Sequence, residues 1–448
     1  MTETTAPAAV LSAQIETFLA EVVADLEAET PPVRGPGRPR LLPSLCLWGG
    51  VLLQTLTGGG VQRALWRRLA SVGLWHYPAL PLSDQAVYAR LDHEAQAPGP
   101  SPLERLFARV SAVLAPRLAP LADATLAPFA TAVVALDETT LDQLRRWLPD
   151  LRGRPAGDAA LVPGKLVALF DLRCQQWQSV QYVAAVHQHC SRAAPAAVAP
   201  LARGTLLLAD LGYFGFRWCD ALTARGVWWV SRLQRQTSYT VAHVHYQDGD
   251  TFDGLVWLGT SRRNQAGSLV RLVTFRVGGT RYRYLTNVRD PQLLPLHEVA
   301  RLYQRRWDIE LAFLLVKQHL GLAVLWSAKP HLALQQAWAV LTIAQILQAL
   351  RLEIAGRAGV EVDDVSIALL AQDAPRLAAA GLDPVQVFVT DGRRLGYIRP
   401  SRRTQNHAPH IRPALLALPP PDLPVSRPAH YCSPPLPADF APPAQTLD

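Results

Sequence analysis

Two apolar segments that each end in an aspartate constrain the fold of this chain most strongly. The first is Thr131-Ala-Val-Val-Ala-Leu-Asp137 and the second is Gly204-Thr-Leu-Leu-Leu-Ala-Asp210. Both are short and apolar between polar flanks, which is typical of buried strands. In α/β proteins, functional side chains collect beyond the carboxyl ends of such strands. We therefore predict an α/β fold in which Asp137 and Asp210 reach a common crevice, although a single aspartate at a strand end is often only a cap.

A third carboxylate lies on a segment that is predicted to be one helix, from about residue 294 to 318. At about 100° per residue, four polar side chains fall within an arc about 60° wide on an otherwise largely apolar helix. They are Tyr303, Arg306, Glu310 and Lys317. This stripe suggests that the carboxylate of Glu310 is held in a fixed position and that Arg306 and Lys317 bind an anion. The alternative is an ordinary helix with an Arg306–Glu310 pair that contributes about 0.3 kcal/mol.

The three carboxylates Asp137, Asp210 and Glu310 form a candidate metal site. Such a set can hold two divalent cations about 4 Å apart, which stabilise the attacking and leaving oxygens of a phosphoryl transfer. Oxygen-only ligands favour Mg²⁺ or Mn²⁺ over zinc. Two rivals are Asp171, which we expect at the end of a strand in a hairpin, and Glu138. If the strand continues past Asp137, Glu138 points to the opposite face.

The spacing of the polar stripe resembles a known signature. The DDE transposases of bacterial insertion sequences, specifically the insertion-sequence-four family, share a pattern of four residues. A tyrosine is followed by an arginine after two intervening residues, a glutamate after three more and a lysine after six more. Tyr303, Arg306, Glu310 and Lys317 match it without a gap. The resemblance covers about residues 40–355 and includes Leu-Asp137-Glu-Thr-Thr, Ala-Asp210-Leu-Gly-Tyr-Phe and Tyr284-Leu-Thr-Asn287. One departure is Leu211, where family members often carry arginine or another polar residue.

The resemblance implies a fold and a domain organisation. The fold class is α/β, with a ribonuclease H-like catalytic core, a β-rich insertion and an all-helical N-terminal domain. The strands and helices predicted from residue 129 onwards follow the order of such a core. The implied domains are a helical N-terminal DNA-binding domain (1–128), the first part of the core (129–232), the β-rich insertion (233–290), the second part of the core with the motif helix and C-terminal helices (291–400), and a basic, Pro-rich tail (401–448).

The resemblance also implies an activity, which is cut-and-paste DNA transposition through nicking, hairpin formation and strand transfer. Asp137 would bridge two Mg²⁺ or Mn²⁺ ions, and Asp210 and Glu310 would each complete one site. Tyr303, Arg306 and Lys317 would bind DNA phosphates. The implied partners are double-stranded DNA, as terminal inverted repeats and as target, and a second copy of the chain in a synaptic homodimer. Two alternatives are a ribonuclease H-like metal-dependent nuclease and a domesticated, transposase-derived DNA-binding protein.

The composition is compatible with a DNA partner in the bacterial cytoplasm. The net charge is +8 and nearly all cations are arginines, the only lysines being Lys165, Lys317 and Lys329. A basic chain favours polyanionic partners. The five cysteines form no CxxC pair, which predicts reduced thiols in a cytosolic protein. The apolar run 41–56 is short and broken by two glycines, so we expect a buried helix rather than a membrane span, and a cytoplasmic, nucleoid-associated protein.

Several other basic segments leave two interpretations open. Val61–Ser71, with three arginines, and a helix after Ser83-Asp84, with Tyr88 and Arg90, form either a helix-turn-helix reader or a packing domain. Gly37-Arg38-Pro39 is either a minor-groove contact or a linker. Aromatic and basic residues of the insertion and a run of C-terminal arginines either contact DNA or are ordinary surface residues. They are Trp257, Arg262, Arg263, Tyr282, Tyr284, Arg393, Arg394, Arg399, Arg402 and Arg403. Residues 408–448 are predicted to be disordered. His187-Gln-His189-Cys190 is interpreted as a polar loop rather than a zinc site.

Overall fold

One mixed β-sheet with helices on both faces organises the computed structural model of the protein. The structure describes residues 15–29, 42–57, 62–74, 78–141, 153, 164–185, 188–261, 264–322, 326–327, 329–401 and 411–427. Nine strands within these ranges form the sheet. In chain order they are β1 (Val133–Thr140), β2 (Lys165–Asp171), β3 (Gln176–Val183), β4 (Leu206–Ala209), β5 (Trp228–Arg232), β6 (Tyr239–Asp248), β7 (Thr251–Leu258), β8 (Val270–Val277) and β9 (Thr280–Thr286). The prediction of a mixed α/β protein is confirmed.

The strand order across the sheet is β3-β2-β1-β4-β5-β9-β8-β7-β6. The pairs β1–β4 and β4–β5 are parallel, and all the other neighbours in this order are antiparallel. The four strands β6–β9, which the sequence predicts as an insertion, therefore continue the same sheet, because β9 pairs with β5. Two helices, α6 (Cys190–Val198) and α7 (Phe216–Ala224), connect the parallel strands and pack on one face.

The register of the parallel strands brings the two aspartates side by side. Leu136 pairs with Ala209, so Asp137 and Asp210 are the next residues on neighbouring strands that run in the same direction. The predicted end of the first strand is wrong, because β1 continues through Asp137 to Thr140 in its ladder with β2. Since successive side chains alternate between faces, Asp137 and Glu138 lie on opposite sides of the sheet.

Five α-helices precede the sheet in the ranges that the structure describes. They are α1 (Ile15–Glu29), α2 (Ser44–Leu56), α3 (Gln62–Ser71), α4 (Asp84–Ala95) and α5 (Pro102–Leu118). The predicted cap of α4 is confirmed, since the Ser83 hydroxyl accepts a hydrogen bond from the Ala86 amide. In contrast, Arg90 donates to Glu94 and Ser44 in a largely buried cluster, so this arginine contributes to packing between helices.

The predicted single motif helix is wrong in its details. Two helices, α8 (Leu296–Arg305) and α9 (Trp307–Leu314), meet at Arg306, and a π-helical turn follows over Leu315–His319. Polar anchors explain the break, because the side chains of Arg305 and Arg306 are held by partners on different sides of the segment. A π-helical turn winds less per residue than an α-helix, so the stripe geometry beyond Leu314 differs from the predicted one.

A long central helix, α10 (Pro330–Ala358), packs against α2, α5 and the sheet, and is followed by α11 (Ile367–Ala379) and α12 (Pro384–Leu395). By length and composition α10 could cross a membrane, but 94% of its most apolar window is buried inside the protein. That burial is typical of a core helix. Asp92 of α4 ties the N-terminal helices to the start of α10 through contacts of 2.7 Å with Lys329 and with His331.

Part of the C-terminal segment lies along the sheet. The Ala417 amide donates to the His245 carbonyl of β6, and the Leu269 amide donates to the Val425 carbonyl. The prediction of a disordered tail is therefore wrong for residues 411–427. Other predictions fall outside the described residues, namely those on 31–40, His187, Arg262, Arg263, Arg402, Arg403 and 428–448.

Candidate active site

The predicted carboxylates of β1 and β4 share a site with the helical segment that follows the sheet. The Arg306 guanidinium lies between them, with Nη1 3.5 Å from Asp137 and Nη2 4.0 Å from Asp210. The same Nη2 lies 2.6 Å from the carboxylate of Glu310. Three carboxylates from three separate elements therefore converge on one positive charge. Arg306 is 4% exposed, so these contacts form in a largely desolvated setting.

Tyr303 completes the group from the last turn of α8. Its hydroxyl donates a 3.3 Å hydrogen bond to Asp210, and its ring lies 5.6 Å from the Arg306 guanidinium carbon. Tyr284 of β9 packs against the same ring, with 4.8 Å between centroids. Because Tyr284 is buried there, its ring packs against Tyr303 and is not accessible for stacking on a DNA base.

Lys317 lies beyond the break in regular α-helical geometry. It belongs to the π-helical turn that follows α9, and its side chain is half-buried. The structure thus brings Tyr303 and Arg306 into contact with the aspartates and Glu310 into contact with Arg306, and it places Lys317 further along the same segment. Trp307, beside Arg306, is 52% exposed, with the guanidinium 5.4 Å from its ring.

A second polar cluster anchors the segment from its other side. Arg305 Nε lies 2.8 Å from the buried carboxylate of Asp308, which also accepts from Gln175 in the β2–β3 turn. Arg305 also donates to the Leu172 carbonyl. Sequence reasoning missed this anchor. The available signal was the Arg305–Asp308 spacing of three residues, which places two opposite charges on one helix face.

The rival carboxylates have other partners. Glu138 binds the ammonium of Lys165 on the opposite face, where Nζ also donates to the Gln188 carbonyl at 2.6 Å. Asp171 accepts from the backbone amides of Arg173 and Cys174 in the hairpin turn. Neither group contacts Arg306. Their placement agrees with the prediction that Asp171 ends a hairpin strand and that Glu138 points away from Asp137.

The environment of the site perturbs its titratable groups. Burial raises the pKa of Asp137 to about 6, the carboxylates of Glu310 and Asp210 raise it as well, and the Glu138 amide and Arg306 oppose them. Burial alone would lower the pKa of Arg306, but Tyr303 and the surrounding carboxylates raise it above its ordinary value. Burial also raises the pKa of Tyr303, which keeps the phenol protonated as a donor to Asp210. A carboxyl with such a raised pKa beside an always-charged guanidinium is typical of functional sites.

The donor chemistry fits hard divalent cations. Asp137, Asp210 and Glu310 supply only carboxylate oxygens, which Mg²⁺ and Mn²⁺ prefer. In the described part of the chain, no three acidic, histidine or cysteine side chains lie close enough together to hold one ion. The reason is visible in the site, because Arg306 stands between the carboxylates. Its Nε is buried and has no hydrogen-bond partner among the described residues. A cation at this position would compete with the guanidinium for the same oxygens.

Comparisons with known proteins find similarity to transposases. Residues 130–346 match the family described as the transposase DDE domain. A stretch of 148 residues is 31% identical to transposase InsG for insertion sequence element IS4 of Escherichia coli (strain K12). That match covers 31% of this chain and spans only 33% of the relative's length.

A solved structure, the piggyBac transposase synaptic complex with hairpin DNA, aligns over 92% of this chain and 88% of that chain. The TM-score is 0.41 and the sequence identity is 10%. The matched domain, residues 130–346, begins just before β1 and ends within α10, so it contains all of the residues that converge on Arg306. This domain is therefore similar to the transposase DDE domain, and part of the chain is similar to a transposase of insertion sequence element IS4.

Proposed function

We propose that the protein is a DDE transposase that cuts and rejoins DNA at the ends of an insertion sequence. The observation that carries the proposal is the convergence of Asp137, Asp210 and Glu310 on the single guanidinium of Arg306. The three carboxylates repel one another, so their site attracts a positive charge. A phosphoryl transfer needs positive charge to stabilise the negative charge of its transition state. The matched transposase domain supports the same assignment.

The three carboxylates Asp137, Asp210 and Glu310 would hold the Mg²⁺ or Mn²⁺ ions. When bound, such ions activate a water or a 3′-hydroxyl and stabilise the leaving oxygen. Tyr303 holds Asp210 in position through its hydroxyl. Arg306, Tyr303 and Lys317 would bind the phosphates on either side of the scissile bond and orient the strand.

In this proposal the reaction is cut-and-paste, with nicking, hairpin formation and strand transfer at one site. The DNA partners are the terminal inverted repeats and the target, and the working form is a homodimer in the bacterial cytoplasm. The core is ribonuclease H-like, which the strand order β3-β2-β1-β4-β5 supports. We keep the proposed domain limits at 1–128, 129–232, 233–290, 291–400 and 401–448.

Cleavage of labelled DNA tests the proposal. The substrate is a duplex that carries the repeats flanking the coding sequence, incubated with Mg²⁺ and the full-length protein. Wild type should produce nicks and hairpins at the repeat end, and Glu310→Gln should abolish both. The matched control is Glu298→Gln, an acidic residue of α8 that pairs only with surface residues His297 and Arg301 among the described residues.

Each rival function has its own outcome in this assay. Binding of the repeat without cleavage by wild type would indicate a transposase-derived DNA-binding protein. Cleavage without hairpins or joined products, and without preference for the repeat end, would indicate a stand-alone nuclease. Cleavage that survives Glu310→Gln would remove Glu310 from the metal site.

A further inference from the structure

Four arginines line one open pocket beside the carboxylate site. The pocket has a volume of about 620 Å³, and it lies where β5 ends and β9 begins. Its walls are Leu211, Arg232, Leu233, Arg235, Arg281 and Arg283. Antiparallel pairing produces the cluster, because β5 ends at Arg232 opposite Tyr284 and the Leu233 amide then donates to the Arg283 carbonyl. Two segments that each carry two arginines are thus fixed next to each other by backbone hydrogen bonds.

The charge of this pocket is not neutralised within the described part of the chain. None of its four guanidiniums forms an ion pair with a carboxylate there, whereas many surface arginines elsewhere do. Arg232 and Arg283 instead lie against aromatic rings, 5.7 Å from Tyr303 and 5.9 Å from Tyr239. Four like charges held together repel one another, so an anionic ligand would stabilise the pocket. Guanidinium groups beside aromatic rings are typical of surfaces that track a nucleic-acid backbone.

The pocket lies next to the candidate active site. Leu211, in its wall, is the residue after Asp210. Arg232 reaches the ring of Tyr303, whose hydroxyl binds Asp210 on the other side. A polyanion in the pocket would therefore lie next to the carboxylate cluster. A free anion would gain nothing from that proximity, whereas a DNA strand that must reach the carboxylates would use it.

We propose that this pocket binds consecutive backbone phosphates of the DNA strand that enters the carboxylate site. The inference rests on the proposed function and adds a subsite to it. Recognition is through phosphate charge, so it is independent of base sequence. Its role is to position the strand, and Arg235 and Arg281 form its exposed outer part.

The test compares two double variants of the full-length protein. Arg235→Gln/Arg281→Gln removes two pocket charges, and Arg203→Gln/Arg376→Gln removes two charges from exposed arginines, one before β4 and one in α11. The probe is a fluorescein-labelled duplex of arbitrary sequence, and its affinity is measured by anisotropy over a salt series. The pocket variant should bind roughly tenfold more weakly or worse, and the slope of log affinity against log salt should shrink by about two. The control variant should keep the wild-type slope, and both should unfold at the wild-type urea midpoint.

Two further measurements are needed. One distinguishes DNA from a free nucleotide as the ligand of the pocket, and the other distinguishes failure of the pocket proposal from failure of the proposed function. If a fluorescent nucleoside triphosphate binds as tightly as DNA and loses affinity in the pocket variant, while DNA binding is unchanged, the pocket is a free-nucleotide site and the inference is overturned. Equal slopes for both variants would also overturn it. Provided that wild type still cleaves in a Glu310-dependent manner, that result leaves the proposed function intact. A wild type that does not cleave repeat DNA overturns the proposed function instead.

Discussion

The guanidinium of Arg306 lies 2.6 Å from the carboxylate of Glu310, one helical turn further along the chain. By itself this is an ordinary pair at a spacing of four residues. Its setting makes it unusual, because the same guanidinium also faces Asp137 and Asp210 on two strands of the sheet. One buried cation therefore holds together three acidic groups that would otherwise repel one another.

Replacing that cation should destabilise the metal-free protein. In Arg306→Gln the three carboxylates lose their shared partner, and we expect the free energy of unfolding to fall by on the order of 2 kcal/mol. Mg²⁺ should restore part of the loss, because it binds the folded site and neutralises the same oxygens. Urea unfolding with EDTA and then with Mg²⁺ measures both effects. The control is Arg301→Gln, whose partly exposed pair with Glu298 should contribute less than about 1 kcal/mol. Equal losses in the two variants would contradict the shared-cation interpretation.

Metal binding should depend on pH through Asp137. Its pKa is raised to about 6, chiefly by burial, and a carboxylate must lose its proton to bind a cation. Mn²⁺ affinity should therefore fall as the pH falls below about 6, by up to roughly tenfold per pH unit. Titration calorimetry across that range measures the change, and a constant affinity would contradict it.

The raised pKa of Asp137 also predicts how stability changes with pH in the absence of metal. The folded protein binds this proton more tightly than the unfolded chain does, so the contribution of Asp137 is present at low pH. It is lost as the pH rises through about 6. Asp137→Asn should remove that decline from the pH profile of urea unfolding, without making the protein less stable above about pH 6.

The sequence predicted which strands and residues form the site better than it predicted how they are arranged in space. Both strands, their aspartates and the four polar residues of the motif could be identified, because apolar runs and residue spacing are local properties. The break at Arg306 was missed, since it depends on Asp308 and Gln175, which lie 133 residues apart and meet only in the fold. The four-arginine pocket was missed for the same reason. It is built from β5 and β9, whose pairing no local pattern shows.

The tail illustrates the opposite error. Its many prolines predicted disorder, yet residues 411–427 lie against β6 and the loop before β8. Proline-rich chain lacks the amides needed for a regular strand, but single amides such as that of Ala417 still bind an exposed sheet edge. Composition describes the tendency of an isolated segment, and the unpaired edge of β6 supplied a partner that composition does not contain.

Lys165 should position the end of β1 from the face opposite Arg306. Its ammonium is 1% exposed and binds both oxygens of Glu138, the residue after Asp137. Lys165→Met leaves Glu138 without this partner, and we expect a loss on the order of 3 kcal/mol in the free energy of unfolding. The double variant Lys165→Met/Glu138→Gln should recover part of that loss, because it removes the uncompensated charge. Urea unfolding of wild type, both single variants and the double variant measures the coupling, and purely additive losses would contradict a direct pair.

The C-terminal segment should protect the loop before β8 and the outer edge of the sheet at β6. The Leu269 amide donates to the Val425 carbonyl, the Arg427 amide donates to Gly267, and Arg412 pairs with Asp248 at the end of β6. A chain ending at residue 410 loses all three contacts, whereas a chain ending at residue 427 keeps them. Hydrogen exchange should therefore show faster exchange at the Leu269 amide in the shorter chain only, and amides of β2 should stay unchanged in both. Because an uncovered edge strand can pair with another molecule, the shorter chain should also self-associate more readily in light scattering. If the Leu269 amide exchanged equally in the two chains, the segment would not be stably attached to the loop before β8.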